Sequence, residues 1–476
     1  MRGCLTKGIV MTVKLNVKSL ALFTALTIAL LLVLFPIQGQ PVTFSYSAAV
    51  IVITLACWST SAIPPFLAGL IFFALSAIFH LLEPATLFSG FASTAVWLIV
   101  AGFIIGSAIT LSGLDQRLAA VIAPHLTVSY FRLISGVTLT AMLLGFIMPS
   151  SVGRAIVLIP VGMALADRVG FKAGSNGRKG VAVTLAIACN MPSFAVLPAN
   201  IPNMILAGAS ETLFDVHFNY MDYLLLHFPI LGLVKSLLLI AIVFLIFPDK
   251  IQISPAQQVV ANNTSENRDS KKQKKVAWLL AITLVFWVTD GIHGISSAWV
   301  GLTTAIILLL PKWGVVEPKA FNRSVDFATV VFVSAALGLG ALVNESGVGT
   351  LMGEMFAYIM PTSADNSFLS FMSLSVISTF VGLVTTIPGV PTVLSPMAAD
   401  FTQLTGFSLP AVLMTQVVGF STVIFPYQVA PLIIAMQLSK ESLGSLSKVT
   451  LPLAVITLLL LMPLDYLWWQ ALGWIG

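Results

Sequence analysis

Residues 190–208 read Asn190-Met191-Pro192-Ser193-Phe194-Ala195-Val196-Leu197-Pro198-Ala199-Asn200-Ile201-Pro202-Asn203-Met204-Ile205-Leu206-Ala207-Gly208. The stretch lies in an apolar segment long enough to enter a bilayer, yet it holds three prolines and three asparagines. Proline removes a backbone donor and breaks the helical ladder. In hydrocarbon, the carbonyls it frees are tolerated only where they are buried in protein or line a wet cavity. A broken helix at membrane depth is therefore expensive, and a solute site is a good reason for one. A plain loop between two spans is the other reading of these residues alone.

The rest of the chain makes the membrane setting secure. Of 476 residues, 58% are hydrophobic and 9% charged, against roughly 25% charged in a soluble domain. Long apolar runs follow one another, and no polar stretch is long enough for a large soluble domain. The net charge of +5 is scattered over short loops, so no nucleic-acid partner is expected. Cys4, Cys57 and Cys189 are isolated, and the five histidines form no ligand-spaced pair, so neither a disulfide nor a metal centre beyond a bound sodium is expected. Lys7, Lys14 and Lys18 precede the apolar run Leu20 to Phe35, but no small-residue cleavage site follows, which predicts a retained first span.

The predicted fold is an all-α polytopic membrane protein with about eleven transmembrane helices, two re-entrant hairpins and two inverted repeats. Residues 1–42 form an N-terminal segment and first span, and 43–247 the first repeat. Residues 248–275 form a cytoplasmic linker, and 276–476 the second repeat. Hairpins are expected near 129–167 and 368–404, where Met148-Pro149-Ser150-Ser151 and Thr385-Thr386-Ile387-Pro388-Gly389 interrupt apolar runs. Broken spans are expected near 181–209 and 409–438. A short interfacial helix is expected over 113–127. With the N-terminus inside, nearly all lysines and arginines fall on the cytoplasmic side. Glu83, Glu211, Asp215, Glu354 and Asp365 fall outside, as the positive-inside rule expects.

The two halves echo each other. Phe91-Ala92-Ser93-Thr94 and a later Ser112-Gly113 recur as Phe327-Ala328-Thr329 and Ser346-Gly347, about 235 residues on. Leu197-Pro198-Ala199-Asn200-Ile201-Pro202 aligns without gaps on Phe425-Pro426-Tyr427-Gln428-Val429-Ala430, with Asn200 opposite Gln428. Paired broken segments in inverted copies point to the binding site of a secondary transporter. Helix N-termini meeting there favour an anion.

The substrate-binding candidates are Ser150, Ser151, Gly153 and Arg154 at the first tip and Thr385, Thr386, Gly389 and Thr392 at the second. Asn200, Asn203 and Gln428 join them from the broken spans, with Asn200 and Gln428 expected to face each other. Asn190, Ser193, Ser421 and Thr422 are the ion-binding candidates. An intramembrane arginine is costly and marks function by default, and its planar fork suits a carboxylate. It also suits backbone carbonyls at the hairpin, which is the structural alternative. Lys235, mid-span, reads equally as a counter-charge or a snorkelling side chain. Asp400 reads as a solvated helix-end aspartate or as a titrating group.

At these residues the chain resembles the divalent anion/sodium symporter family of the wider ion-transporter superfamily, over about Thr43 to Gln470. That family carries Ser-Asn-Thr at each hairpin tip, followed about eight residues later by Leu-Pro. Here Ser150-Ser151-Val152 stands ahead of Ile159-Pro160, and Thr386-Ile387-Pro388 ahead of Ser395-Pro396. In the broken spans, Asn200-Ile201-Pro202-Asn203 and Val429-Ala430-Pro431-Leu432 occupy the places of a Thr-Pro-Pro-Asn type sequence. The resemblance implies a homodimer in the inner or plasma membrane, with a transport domain that moves like an elevator against a scaffold. It implies a dicarboxylate, citrate-like or sulfate-like substrate, with sodium or a proton as the coupling ion and no other cofactor. Neither tip keeps the Asn-Thr, so Arg154 is expected to supply fixed charge where the family uses a bound cation. A sodium/proton antiporter or an arsenite-type permease is the alternative within transport. No His-Glu-Xaa-Xaa-His, nucleophile elbow or nucleotide loop is present, so neither an enzyme nor a primary pump is expected.

Overall fold

The computed structural model describes residues 17–114, 117, 126–148, 150–251, 270–362 and 364–475. The described residues form helices and connecting turns, without strands. Helix α1 spans Val17–Leu34, α2 Val42–Thr60, α3 Pro65–Ile78 and α4 Thr94–Ser112. The first hairpin consists of α5, Tyr130–Ile147, and α6, Ser151–Arg168. The first broken span consists of α7, Asn176–Ala188, and α8, Ile201–Phe214, separated by two short 3₁₀ turns. Helix α9 runs Tyr220–Ile246.

The second half presents the same order. Helices α10, Ser270–Val288, α11, Ser297–Leu309, and α12, Phe327–Glu345, lead to a shorter α13, Val348–Ile359. The second hairpin is α14, Ser367–Thr385, and α15, Gly389–Thr405. The second broken span is α16, Leu409–Phe420, and α17, Ala430–Ser439, and α18 runs Leu443–Ala471. Both α9 and α18 contain a wide π turn, at Phe228–Val234 and Thr457–Leu461.

Small polar residues start many of these helices. Ser93, Ser129, Ser150, Ser175, Ser408 and Ser442 each accept a backbone N–H of the first turn through Oγ, and Asp326 does so for Ala328 and Thr329. Such caps satisfy donors that the helix cannot. Among the described residues six helices are long and apolar enough to cross a membrane, or seven if α15 and α16, bent by 114°, count as one. Helices of 10–14 residues, α7, α8, α16 and α17, make up the broken spans.

Packing decides what surrounds the breaks. The second arm of the first hairpin, α6, lies between α7 of its own half and α17 of the other. The second hairpin mirrors this: α14 packs on α16, and the start of α15 packs on α8. Close approach is needed at α14–α16, where a Cβ on Gly419 would stand 2.2 Å from Ser378 Cβ. Helices α2 and α3 pack on α12, and α4 packs on α11 and α8, which closes the cradle from the other side.

Several boundaries differ from expectation. The first broken span starts at Asn176, not 181, because Ser175 caps it, and it runs on to Phe214. The linker expected over 248–275 is shorter, since α10 begins at Ser270 and takes in Lys271 to Lys275. Residues 252–269 of that linker, 1–16 of the N-terminal segment, Pro149 and most of the interfacial helix expected over 113–127 lie outside the described residues.

Candidate functional site

Three helix N-termini meet at one cavity of about 50 Å³. Helix α6 contributes Ser150, Ser151 and Val152, α8 contributes Asn200, Ile201 and Met204, and α17 contributes Pro431. Ile99, Gly102 and Phe103 of α4 close the side. Among the described residues no acidic side chain lines it. A helix N-terminus carries about half a positive charge and free N–H groups, so this lining favours an anion. Met204 also lines a second cavity, of about 140 Å³, bounded by Glu211, Asn219, Asp290 and Ser296.

Beneath Asn200 lies a polar knot. Asn200 Nδ2 donates to Ser193 Oγ at 3.1 Å and approaches Asn190 O at 3.4 Å. Asn203 Nδ2 donates to the carbonyls of Ser193 and Val196, at 3.1 and 2.9 Å. Ser193 Oγ donates to Asn190 O at 2.5 Å. Both side-chain amide atoms of Asn190, and Asn203 Oδ1, are buried without a hydrogen-bond partner among the described residues. The structure thus gathers Asn190, Ser193, Asn200 and Asn203 under the cavity and brings Ser150 and Ser151 to its wall.

Arg154 is fully buried. Its guanidinium donates through Nε to Cys189 O (3.0 Å), through Nη1 to Met148 O, and through Nη2 to Ser151 Oγ (3.0 Å) and Ala199 O (3.3 Å). It lies behind the tip and ties hairpin to broken span; its charge reaches the cavity wall through Ser151. Gly153 donates its N–H to Ser150 Oγ at 3.0 Å.

The second tip is organised differently. Gln428 does not line the cavity or face Asn200 across it. Its Oε1 accepts the N–H groups of Ile424 and Phe425, each at 2.8 Å, and its Nε2 donates to Gly382 O at 3.0 Å. The amide is spent on satisfying a break that proline leaves open. Tyr427 Oη donates to Leu383 O (2.9 Å), and Ile387 N donates to Gln428 O (3.2 Å), so the second tip is tied to its own broken span. Thr385 Oγ1 donates to Val381 O at 2.9 Å. Thr386 sits at φ +71°, and a Cβ on Gly389 would stand 2.9 Å from Thr385 Cβ. Thr392 is buried, with Oγ1 unpartnered among the described residues.

At the second break, Ser421 and Thr422 turn their hydroxyls onto Val418 O, at 3.0 and 3.1 Å. The Ser421 carbonyl accepts Lys235 Nζ at 2.8 Å. Asp400 is half-buried beside α13, with Oδ2 3.0 Å from where a Cβ on Gly353 would lie. Sequence reasoning missed Ile99, Gly102, Phe103 and Pro431 as lining residues, since nothing polar marks them. It also missed the Lys235–Ser421 contact, which joins residues 186 apart.

An all-helical multi-pass membrane protein with paired hairpins and broken spans, and with helix N-termini around one cavity, has the build of a transporter. Residues 55–423 match the family described as citrate transporter, and the chain belongs to it. This agrees with the resemblance to the divalent anion/sodium symporters. A membrane protein of Cupriavidus necator is 23% identical over 95% of this chain and 93% of its own. The chloroplastic dicarboxylate transporter 2.1 of Arabidopsis thaliana is 25% identical over 57% of this chain and 50% of its own. The L-tartrate/succinate antiporter of Shigella dysenteriae is 22% identical over 56% of each. The match thus spans about half the length of these two carboxylate transporters. The crystal structure of the Alcanivorax borkumensis YdaH transporter superposes with a TM-score of 0.51 at 17% identity, covering 82% of this chain and 87% of that one, a likeness of fold.

Proposed function

We propose that the protein is a secondary active transporter of small di- or tricarboxylate anions. The observation that carries this reading is the meeting of three helix N-termini, from α6, α8 and α17, at a cavity that no acidic side chain lines among the described residues. Fixed N–H dipoles in a site closed to water attract carboxylates more strongly than exposed ones. Relatives bearing the names of dicarboxylate transporters and tartrate/succinate antiporters support the substrate class. Ser150, Ser151 and Asn200 contact the substrate, and the knot of Asn190, Ser193 and Asn203 holds Asn200 in place.

In this reading the two halves are inverted repeats, residues 43–247 and 276–476, with the N-terminus cytoplasmic. The sorting of lysines and arginines to one side supports that orientation. The hairpins and broken spans move as a transport domain against a dimeric scaffold, as the family resemblance implies. Thermal melting of the purified protein across a panel of succinate, citrate, tartrate, sulfate and chloride tests the reading, because a ligand of the folded state raises the melting temperature. A shift with one or more carboxylates is expected. No shift with any carboxylate, alongside a shift with sulfate, would replace it.

A further inference from the structure

The half-helices that lead into the two breaks end on the same electrostatic fitting, supplied by different residues. Helix α7 ends at Ala188, and the carbonyl of its cap residue, Cys189, accepts Arg154 Nε at 3.0 Å. Helix α16 ends at Phe420, and the carbonyl of its cap residue, Ser421, accepts Lys235 Nζ at 2.8 Å. Both cations are buried, Arg154 at 0% and Lys235 at 3% exposure. Arg154 reaches its break from the hairpin of the same half, whereas Lys235 reaches across from α9 in the other half. The C-terminal end of a helix is the negative end of its dipole and leaves carbonyls without partners. In discontinuous transporter helices such ends coordinate the coupling cation.

The surroundings of Lys235 add weight. Ile187, Met191, Pro192, Leu231, Leu239 and Leu453 enclose it, with Ser236 the one polar neighbour in that lining. Among the described residues one carboxyl group is fully buried, that of Asp465 on α18. Among those residues Lys235 has no acidic oxygen within ion-pair distance, so its close partner is the helix end itself. A buried ammonium stays charged only where such a partner offsets its lost hydration.

We propose that Lys235 is a resident cation that stands in for a coupling metal ion at the second break, as Arg154 does at the first, so that the anion site assembles without sodium. The consequence for transport rests on the cavity being the anion site; the test of the resident cations does not. Melting of the full-length protein in sodium chloride and in choline chloride at equal ionic strength is the first arm. Wild type is expected to melt alike in both, and a sodium-specific rise in its melting temperature would overturn the proposal. In the second arm, Lys235→Ala opens a cation-sized gap at Ser421. Its melting temperature is expected to fall and then to recover with added sodium or ethylammonium, while Lys235→Arg behaves as wild type. A Lys235→Ala protein that melts as wild type does, and ignores both cations, would overturn it. Where Lys235→Ala fails to fold, Lys235→Gln keeps a donor without the charge, and the same sodium response is expected of it. In the third arm, succinate and citrate are added to wild type in both salts. Stabilisation without sodium supports the proposal, and stabilisation that requires sodium sinks it. No stabilisation in either salt would count against the carboxylate reading, while the first two arms still decide the role of Lys235.

Discussion

Asn200 Nδ2 and Ser193 Oγ lie 3.1 Å apart, and this hydrogen bond joins the wall of the cavity to the floor of the first break. Asn200 lines the cavity beside the helix N-terminus of α8, while Ser193 belongs to the 3₁₀ turn between the half-helices. The bond helps to orient a polar side chain at a place where proline has removed the helical ladder.

Replacing Asn200 by Asp puts a negative charge among three helix N-termini. Repulsion of a carboxylate substrate outweighs the favourable dipole of that residue's own helix, because the substrate must then share the same donors. Asn200→Asp is expected to weaken substrate binding by tenfold or more, equivalent to about 1.4 kcal/mol, and to lower the melting temperature, since a charged oxygen replaces the donor that faces Ser193 Oγ and Asn190 O. Asn200→Ala is expected to lose less, since it removes a hydrogen bond of about 1 kcal/mol without adding charge. Titration calorimetry with the best stabilising carboxylate distinguishes the two.

Arg154 serves the fold before it serves the substrate. Truncation to Ala strips donors from Met148 O, Cys189 O and Ala199 O, which are buried. Each orphaned group costs about 1–3 kcal/mol, so Arg154→Ala is expected to be destabilised by roughly 3 kcal/mol or more. Arg154→Lys keeps the charge but not the planar fork, and an intermediate loss is expected. Denaturation in a mild detergent measures both. An Arg154→Ala protein as stable as wild type would contradict the assignment.

The two tip glycines are not equivalent. A Cβ on Gly153 would meet the flexible end of Met148, at 2.9 Å from Cε, whereas one on Gly389 would meet Thr385 Cβ at 2.9 Å, next to the backbone. Gly153→Ala is therefore expected to be tolerated, and Gly389→Ala to displace the second tip and reduce uptake severalfold. Equal effects in a side-by-side uptake assay would count against this difference between the tips.

Thr386 stands at φ +71° and ψ 163°, a region that side chains avoid at a cost of about 1–3 kcal/mol. Thr386→Gly is expected to relieve it and raise stability by about 1 kcal/mol after the entropy that glycine loses on folding. A melting curve checks the sign.

The breaks themselves were legible because proline and asparagine inside an apolar run leave few alternatives. The pairing of Leu197 to Pro202 with Phe425 to Ala430 was legible because both halves interrupt a helix at the same place. What sequence could not reveal was how each break is satisfied. Gln428 aligns with Asn200, yet one amide caps backbone N–H groups while the other lines the cavity. The difference follows from which atoms the packing of α14 against α16 brings near, and alignment carries no such information. Lys235 looked ambiguous because its partner is a backbone carbonyl in the other half, and every residue has one. Helix α13 was missed because its 12 residues, Val348–Ile359, are too short to read as a span.

Uptake of labelled succinate and citrate into proteoliposomes tests the central claim most directly. The account predicts saturable uptake into vesicles holding the wild-type protein, stimulated by unlabelled carboxylate inside and lost in Asn200→Asp. Uptake no greater than in protein-free vesicles for both anions, or an Asn200→Asp protein that transports as wild type does, would contradict it.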